Sequence, residues 1–122
     1  MPKSPVRRVD KPWGYELIWA QTSRYVGKVL HINRGHRLSW QYHNHKDETI
    51  YVLSGQLRLV VDEGEGVTEL DLAPGDSYHI APLTKHRMIA ITDCDLAEAS
   101  TADLDDVVRL EDAYGRAGTS KP

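Results

Sequence analysis

Short runs in which apolar and polar residues alternate fill most of the chain, and turn residues interrupt them about every ten positions. Alternation with a period of two is typical of strands that bury one face. Segments such as 63–66 (EGEG) and 74–76 (PGD) supply the turns. The runs predicted as strands are 15–20, 25–33, 38–43, 49–53, 56–62, 67–72, 77–80, 86–91 and 96–99. They predict an all-β antiparallel sandwich or barrel.

The tail is the one segment with a helical pattern. Asp103 is a suitable N-cap for a helix over 104–114, and Asp105 and Asp106 suit the positive end of a helix dipole. Gly115 is a suitable stop. The sequence therefore predicts a short C-terminal helix.

The length of 122 residues is that of one domain. We expect a single domain over residues 1–122, with a core at about 12–100. Residues 1–8 are basic and proline-containing and are predicted to be a solvated N-terminal arm, and 103–122 to be the helix and a polar tail.

Composition narrows the classes of function. A content of 40% hydrophobic and 27% charged residues is that of a globular protein, and the net charge of −3 gives no electrostatic case for nucleic acid or an anionic membrane. No apolar run approaches the roughly 18 residues of a membrane span. Cys94 is the single cysteine, which excludes an internal disulfide and a multi-cysteine zinc site. We expect a cytoplasmic protein.

Metal-ligating residue types gather between residues 35 and 55. Period-two geometry places Gln41 and His43 on one face of a strand, together with His45 if the strand continues. A second strand beginning near Glu48 returns a carboxylate to the same place. Imidazole nitrogen, carboxylate oxygen and amide oxygen together suit a divalent first-row metal, and Zn, Mn, Fe, Co and Ni all stay open.

The spacing of this segment resembles the first motif of the cupin superfamily, in which a glycine, a His-x-His pair, a glutamate and a second glycine follow one another. Five residues separate Gly35 from Gln41, four separate His43 from Glu48, and six separate Glu48 from Gly55. In this register the first histidine of the family falls on Gln41 and the second on His43.

Residues 74–87 resemble the second cupin motif, in which the remaining metal histidine falls on His86. Ala81 and Leu83 stand where the family usually has proline and glycine, but Pro82 supplies a rigid turn one position along, so we expect the loop to be kept. The resemblance implies a cupin (jelly-roll) barrel with one divalent metal ion and four ligands: Gln41, His43, Glu48 and His86.

Glutamine at the first ligand position is typical of phosphomannose isomerases. Residues 9–92 resemble the cupin part of the bacterial bifunctional mannose-6-phosphate isomerase/mannose-1-phosphate guanylyltransferases, through the segment 11–14 (KPWG), Lys28 and 38–48 (LSWQYHNHKDE). Three positions near Glu48 differ from the usual Arg, His and Trp of that group: Lys46, Thr49 and Ile50.

This resemblance implies a sugar-phosphate substrate and aldose–ketose isomerisation. The base for the C2 proton is Lys28, His45 or a metal-bound hydroxide. Lys28 is equally a candidate phosphate anchor, and Arg87 is the predicted sugar-phosphate contact because its planar fork suits phosphate, although alternation along the strand turns it away from the cavity. The alternatives are a non-catalytic metal-containing sugar or metabolite binder and, third, a metal-dependent dioxygenase.

The outward face of the first motif bears on oligomeric state. Trp40 and Tyr42 have the opposite parity to Gln41 and are predicted to point out of the barrel. Adjacent outward aromatic residues suggest a covered face. We therefore predict a homodimer.

Overall fold

The computed structural model describes residues 3–119, and this range contains strands but no helix. Residues 1–2 of the predicted arm and 120–122 of the predicted tail lie outside the described residues. The strands are Arg7–Lys11 (β1), Gly14–Gln21 (β2), Tyr25–Ile32 (β3), Trp40–Tyr42 (β4), Glu48–Ser54 (β5), Leu57–Asp62 (β6), Val67–Leu72 (β7), Ser77–Ile80 (β8), Lys85–Ala90 (β9), Cys94–Thr101 (β10), Val108–Glu111 (β11) and Gly118–Thr119 (β12).

Two six-stranded antiparallel sheets form the barrel, with strand orders β1-β2-β3-β10-β5-β8 and β12-β11-β4-β9-β6-β7. Their inner faces share one hydrophobic core. The alternation of the sequence explains which residues enter it: in β6, Leu57, Leu59 and Val61 are buried while Arg58 and Val60 between them are not. The predicted all-β antiparallel barrel is confirmed.

The interior of the barrel is apolar at one end and charged at the other. In β3, inward-facing Leu30 and Ile32 belong to the core, whereas inward-facing Lys28 lies beyond them. In β10, Leu96 and Glu98 divide in the same way. Because every second residue of these strands faces inward, the same face of each strand lines the hydrophobic core at one end and a polar cavity at the other.

The predicted C-terminal helix is wrong. Residues 108–111 form β11, which pairs with β4 at the edge of the second sheet. Burial alternates along it, since Val107 and Arg109 are buried while Leu110 is exposed. Asp106, assigned above to a helix N-terminus, instead directs its carboxylate to the backbone of residues 44–46. Tertiary pairing outweighs the local helix signals here.

The N-terminal strand begins earlier than the predicted core. Arg7 and Arg8, placed above in a solvated arm, belong to β1 and pair with Ile18 and Leu17 of β2. Both arginine side chains remain exposed, so no buried face marks this segment as a strand in the sequence. The strand is defined by its backbone pairing with β2.

The loop between β8 and β9 keeps its shape without the usual glycine. Leu83 adopts a positive φ of 68°, a conformation that costs a non-glycine residue roughly 1–2 kcal/mol. Its backbone N–H donates to the carbonyl of His43 at 2.7 Å. This hydrogen bond agrees with the expectation that the loop is kept. Leu83 itself adopts the positive φ that a glycine usually supplies.

Candidate metal centre

His43, Glu48 and His86 converge inside the charged end of the barrel. His43 directly follows β4, Glu48 begins β5 and His86 lies in β9, and each is at most 4% exposed. Glu48 Oε2 lies 3.8 Å from His43 Nε2, and Glu48 Oε1 lies 3.5 Å from His86 Nε2. One ligand atom from each residue falls within 4.8 Å of the others, a spacing suited to a shared metal ion.

Both histidines are held by their other ring nitrogen. His43 Nδ1 lies 2.5 Å from the carbonyl of Asp106, and His86 Nδ1 lies 2.8 Å from that of Thr84. Each Nδ1 therefore donates to a backbone carbonyl and each Nε2 keeps its lone pair, as is usual for histidines that bind a metal. Burial lowers the pKa of His43 to about 4, so its ring is neutral at neutral pH.

The Nε2 atoms of His43 and His86 have no hydrogen-bond partner within residues 3–119, and a bound cation would satisfy both of them. A buried polar atom without a partner costs about 1–3 kcal/mol. Two imidazole nitrogens and a carboxylate fit a divalent first-row metal, which satisfies all three at once.

Gln41 lies beside these residues. It is the partner of His86 where β4 pairs with β9, and it lines the same cavity as His43 and Glu48. Ser39 Oγ donates to Gln41 Oε1 at 2.6 Å, which orients the amide. The structure thus brings together all four residues predicted as ligands.

Asp106 closes the loop that joins His43 to Glu48. Its carboxylate accepts hydrogen bonds from the backbone N–H groups of Asn44, His45 and Lys46. Burial opposes the charge, but these three donors outweigh it and lower the pKa of Asp106 to about 2. With its carbonyl on His43, one tail residue holds both the loop and a ligand.

A buried ion-pair network surrounds Glu48. Lys46 Nζ lies 2.9 Å from Glu48 Oε2 and 3.2 Å from Glu98 Oε2. Burial alone would raise the pKa of Glu48, but Lys46 outweighs it and lowers the pKa to about 2. Burial raises the pKa of Glu98, and its attraction to the shared Lys46 does not outweigh that effect.

The cavity beside the three converging residues is small and strongly charged. It encloses about 50 Å³. Lys28, the predicted catalytic or substrate-binding lysine, lines it and is ion-paired with Glu16 at 3.2 Å. The enclosed part has room for a few waters.

Two predicted site residues do not reach this cavity. His45 is exposed, because β4 ends at Tyr42 and period two does not continue into the loop. Arg87 points to the outer face of β9, where Nε donates to the carbonyl of Leu38 and Nη2 to that of Glu111. The structure gives neither residue the cavity position that a catalytic base or a phosphate contact requires.

Four cavity residues escaped the sequence reasoning. Glu16 and Glu98 stand at core positions of strands and were detectable as charged residues with inward parity. Arg109 and Asp106 lie in the tail, where the expected helix gave no reason to place them near the ligands. Residues 107–110 (VVRL) alternate in burial but not in residue type, so no local pattern marked this strand.

A protein-family model described as Cupin domain matches residues 28–98. The match spans more than half of the chain and includes His43, Glu48 and His86. The chain belongs to the cupin family. The predicted resemblance to cupins is confirmed.

Two curated bacterial relatives are similar to this cupin over most of its length. Mannose-1-phosphate guanylyltransferase ManC of Salmonella typhimurium is 34% identical over 116 residues, which are 90% of this chain and 23% of that protein. Alginate biosynthesis protein AlgA of Pseudomonas aeruginosa is 30% identical over 119 residues, 93% and 24% respectively. The chain therefore spans about a quarter of the length of these relatives.

A solved structure supports the fold. KdgF from Halomonas sp. matches this cupin with a TM-score of 0.68 at 22% identity, covering 79% of this chain and 87% of KdgF. At this identity the likeness concerns the fold alone. In the described range, 3–119, no helix has the length and hydrophobicity of a membrane span.

Proposed function

We propose that this cupin is a metal-dependent sugar-phosphate isomerase that interconverts mannose 6-phosphate and fructose 6-phosphate. The observation that carries the proposal is the convergence of His43, Glu48 and His86 at a cavity that the buried Lys28–Glu16 pair also lines. The mannose 1-phosphate chemistry named for the relative ManC supports a sugar phosphate as the substrate class.

We propose Gln41, His43, Glu48 and His86 as ligands of one divalent ion, with Zn, Mn, Fe, Co and Ni as candidates. The bound ion supplies polarisation of the substrate carbonyl and stabilisation of the developing oxyanion. The protein contributes the orientation of these ligands through the carbonyls of Asp106 and Thr84. Because each ring is fixed, little reorganisation accompanies binding.

Lys28 is the predicted catalytic residue that lies in the cavity. Isomerisation moves a proton between C1 and C2 through an enediol, so a group must hold a proton beside the sugar carbons. Lys28 Nζ is fixed 3.2 Å from Glu16 Oε1, which places a donor and an acceptor side by side. We assign the proton transfer to this pair, and give His45 and Arg87 no part in it.

A coupled assay tests the proposal directly. Metal-loaded protein should convert mannose 6-phosphate to fructose 6-phosphate, and Lys28→Met should lower kcat by about 10²-fold or more. Lys3→Met, an exposed lysine outside the strands, serves as the matched control and should keep full activity. Absence of turnover with every one of the five candidate metals contradicts the isomerase.

The size of the cavity favours a second candidate, a non-catalytic sugar-phosphate binder. The enclosed space of about 50 Å³ is small for a hexose phosphate unless the mouth opens. The proposed ligand Glu48 and the neighbouring Glu98 are also both paired with Lys46. A rise in melting temperature with mannose 6-phosphate, without turnover, is the result that selects this candidate.

A further inference from the structure

Arg109 is a buried cation without an ion-pair partner in the described residues, since nearby Glu16 and Asp112 are each paired with another cation. It is 6% exposed, and among residues 3–119 its Nε and Nη1 have no hydrogen-bond partner. In the same part of the chain no carboxylate oxygen lies within 4.0 Å of its guanidinium. A buried charge without a partner is costly for the fold. Because the charged side chain of Arg109 lies on the wall of a cavity, we infer that a bound ligand supplies the missing hydrogen-bond acceptors.

The position of Arg109 relative to the metal ligands follows from strand register. Arg109 pairs with Gln41 across β11 and β4, and Gln41 pairs with His86 across β4 and β9. Paired residues point to the same side of a sheet, and neighbouring strands lie about 4.8 Å apart. Arg109 therefore stands in the same row as two proposed ligands, roughly 10 Å from His86 along the inner face.

Other cations reinforce this end of the cavity. Lys11 and Arg116 line it with Arg109, and Arg116 is held in place by Asp112 at 2.9 Å. Burial, together with repulsion from nearby Lys28, Arg109 and Arg116, lowers the pKa of Lys11 to about 8 in spite of Glu16.

The acidic groups of the cavity do not compensate these cations. Glu16 is paired with Lys28, whereas Glu48 and Glu98 share Lys46. Lys11 and Arg109 are left as cations without an ion-pair partner in the part of the chain that the structure describes. The excess positive charge lies at the end bordered by β11.

We propose that Arg109 and Lys11 form an anion site that binds the phosphate group of the substrate while the sugar carbons lie at the metal ligands. The guanidinium fork suits two phosphate oxygens, and a lysine supplies a further charged donor. The assignment to a sugar phosphate rests on the proposed function, whereas the anion site rests on the unpartnered cations.

Thermal unfolding of the metal-loaded protein with inorganic phosphate, mannose 6-phosphate and mannose tests the site. Phosphate and mannose 6-phosphate should raise the melting temperature of the wild type, and mannose should not. Arg109→Met should lower the affinity for both inorganic phosphate and mannose 6-phosphate about tenfold to a hundredfold. The control Arg58→Met, which removes an exposed arginine paired with Asp71, should leave both unchanged.

The stability of the unliganded protein separates a binding role from a structural one. Removal of an unpartnered buried charge should raise the melting temperature of Arg109→Met, whereas removal of a structural arginine would lower it. Arg109→Lys keeps the charge without the fork and should retain an intermediate affinity. Lys11→Gln should also lower the affinity for phosphate. This second variant keeps the test valid if the arginine variants fail to fold.

An equal phosphate response in Arg109→Met and the wild type overturns the site, since the anion then binds at the metal alone. Lack of any response to phosphate in the wild type overturns it as well. The two proposals fail separately. Turnover with an unchanged KM in Arg109→Met retains the isomerase and removes the anion site. Arg109-dependent phosphate binding without turnover retains the anion site and removes the isomerase.

Discussion

The protonation of Lys11 makes the stability of the fold depend on pH. Its ammonium is held among other cations at the cavity wall, so burial and repulsion lower its pKa to about 8. In the unfolded chain a lysine titrates near 10.4. The folded protein therefore releases this proton first, and the charged form of Lys11 destabilises the fold below pH 8.

The free energy of unfolding should respond to this difference. Between about pH 8 and 10.4 the unfolded chain binds one proton more than the folded chain at this site, so the Lys11 contribution to stability rises with pH. Urea unfolding of the metal-free protein should make Lys11→Met more stable than the wild type at pH 7, by a margin that shrinks above pH 8. A margin independent of pH contradicts the prediction. Lys3→Met should follow the wild type throughout.

Residue types predicted the ligands better than they predicted the rest of the cavity. The resemblance to the cupin motifs pointed to Gln41, His43, Glu48 and His86 as proposed ligands, and three of them, His43, Glu48 and His86, do converge. Arg109 carries no such signal, since its role depends on a pairing with Gln41 across 68 positions of sequence. Long-range register of this kind is set by tertiary packing and is invisible to local patterns.

At the scale of elements, β11 is where sequence and structure differ most. The strands of the core were predicted within a few residues because most of them alternate between a buried and a more exposed face, as Leu57–Asp62 and Lys85–Ala90 illustrate. The tail carries aspartates that suit a helix N-terminus, yet those same groups bind the metal loop and an adjacent hydroxyl. Side-chain hydrogen bonds to a distant segment replaced the local cap.

Asp106 makes the metal loop depend on this tail. Asp106→Ala removes the acceptor for three backbone N–H groups and disturbs the segment that binds His43, so metal affinity should fall about 10–100-fold. Titration with Zn²⁺ against a competing chelator measures the change. Asp105→Ala, an exposed neighbour, is the matched control and should keep the affinity of the wild type. Equal affinities in both variants would show that the loop holds its shape without the tail.

At the scale of the whole molecule, the outer face of the second sheet bears on assembly. Trp40 is half-buried and lies with Val60, Val67 and Arg87 around a shallow outer groove, on the side away from the ligands. The outer face of the first sheet also carries exposed aromatic residues, of which Trp19 is 52% exposed. Apolar surface on both faces leaves two possible surfaces for a second copy.

We expect a homodimer that associates through the Trp40 face. Sedimentation velocity at micromolar concentration should give a dimer for the wild type and for Trp19→Gln, and a monomer for Trp40→Gln. The physical reason is the loss of the apolar contact at the centre of the interface. A wild type that sediments as a clean monomer contradicts the dimer, and dissociation by Trp19→Gln alone assigns the contact to the other sheet.

Metal content tests the centre of this molecule most directly. Purified protein exposed to Mn, Fe, Co, Ni and Zn and then dialysed should retain one divalent ion per chain by mass spectrometry. Gln41→Ala should lower that content and His86→Ala should abolish it, because the ligand set loses one donor in each case. His79→Ala, an exposed histidine paired with Asp47, should leave it unchanged. A wild type without a stoichiometric ion, or a His86→Ala variant that still holds one, contradicts the metal centre.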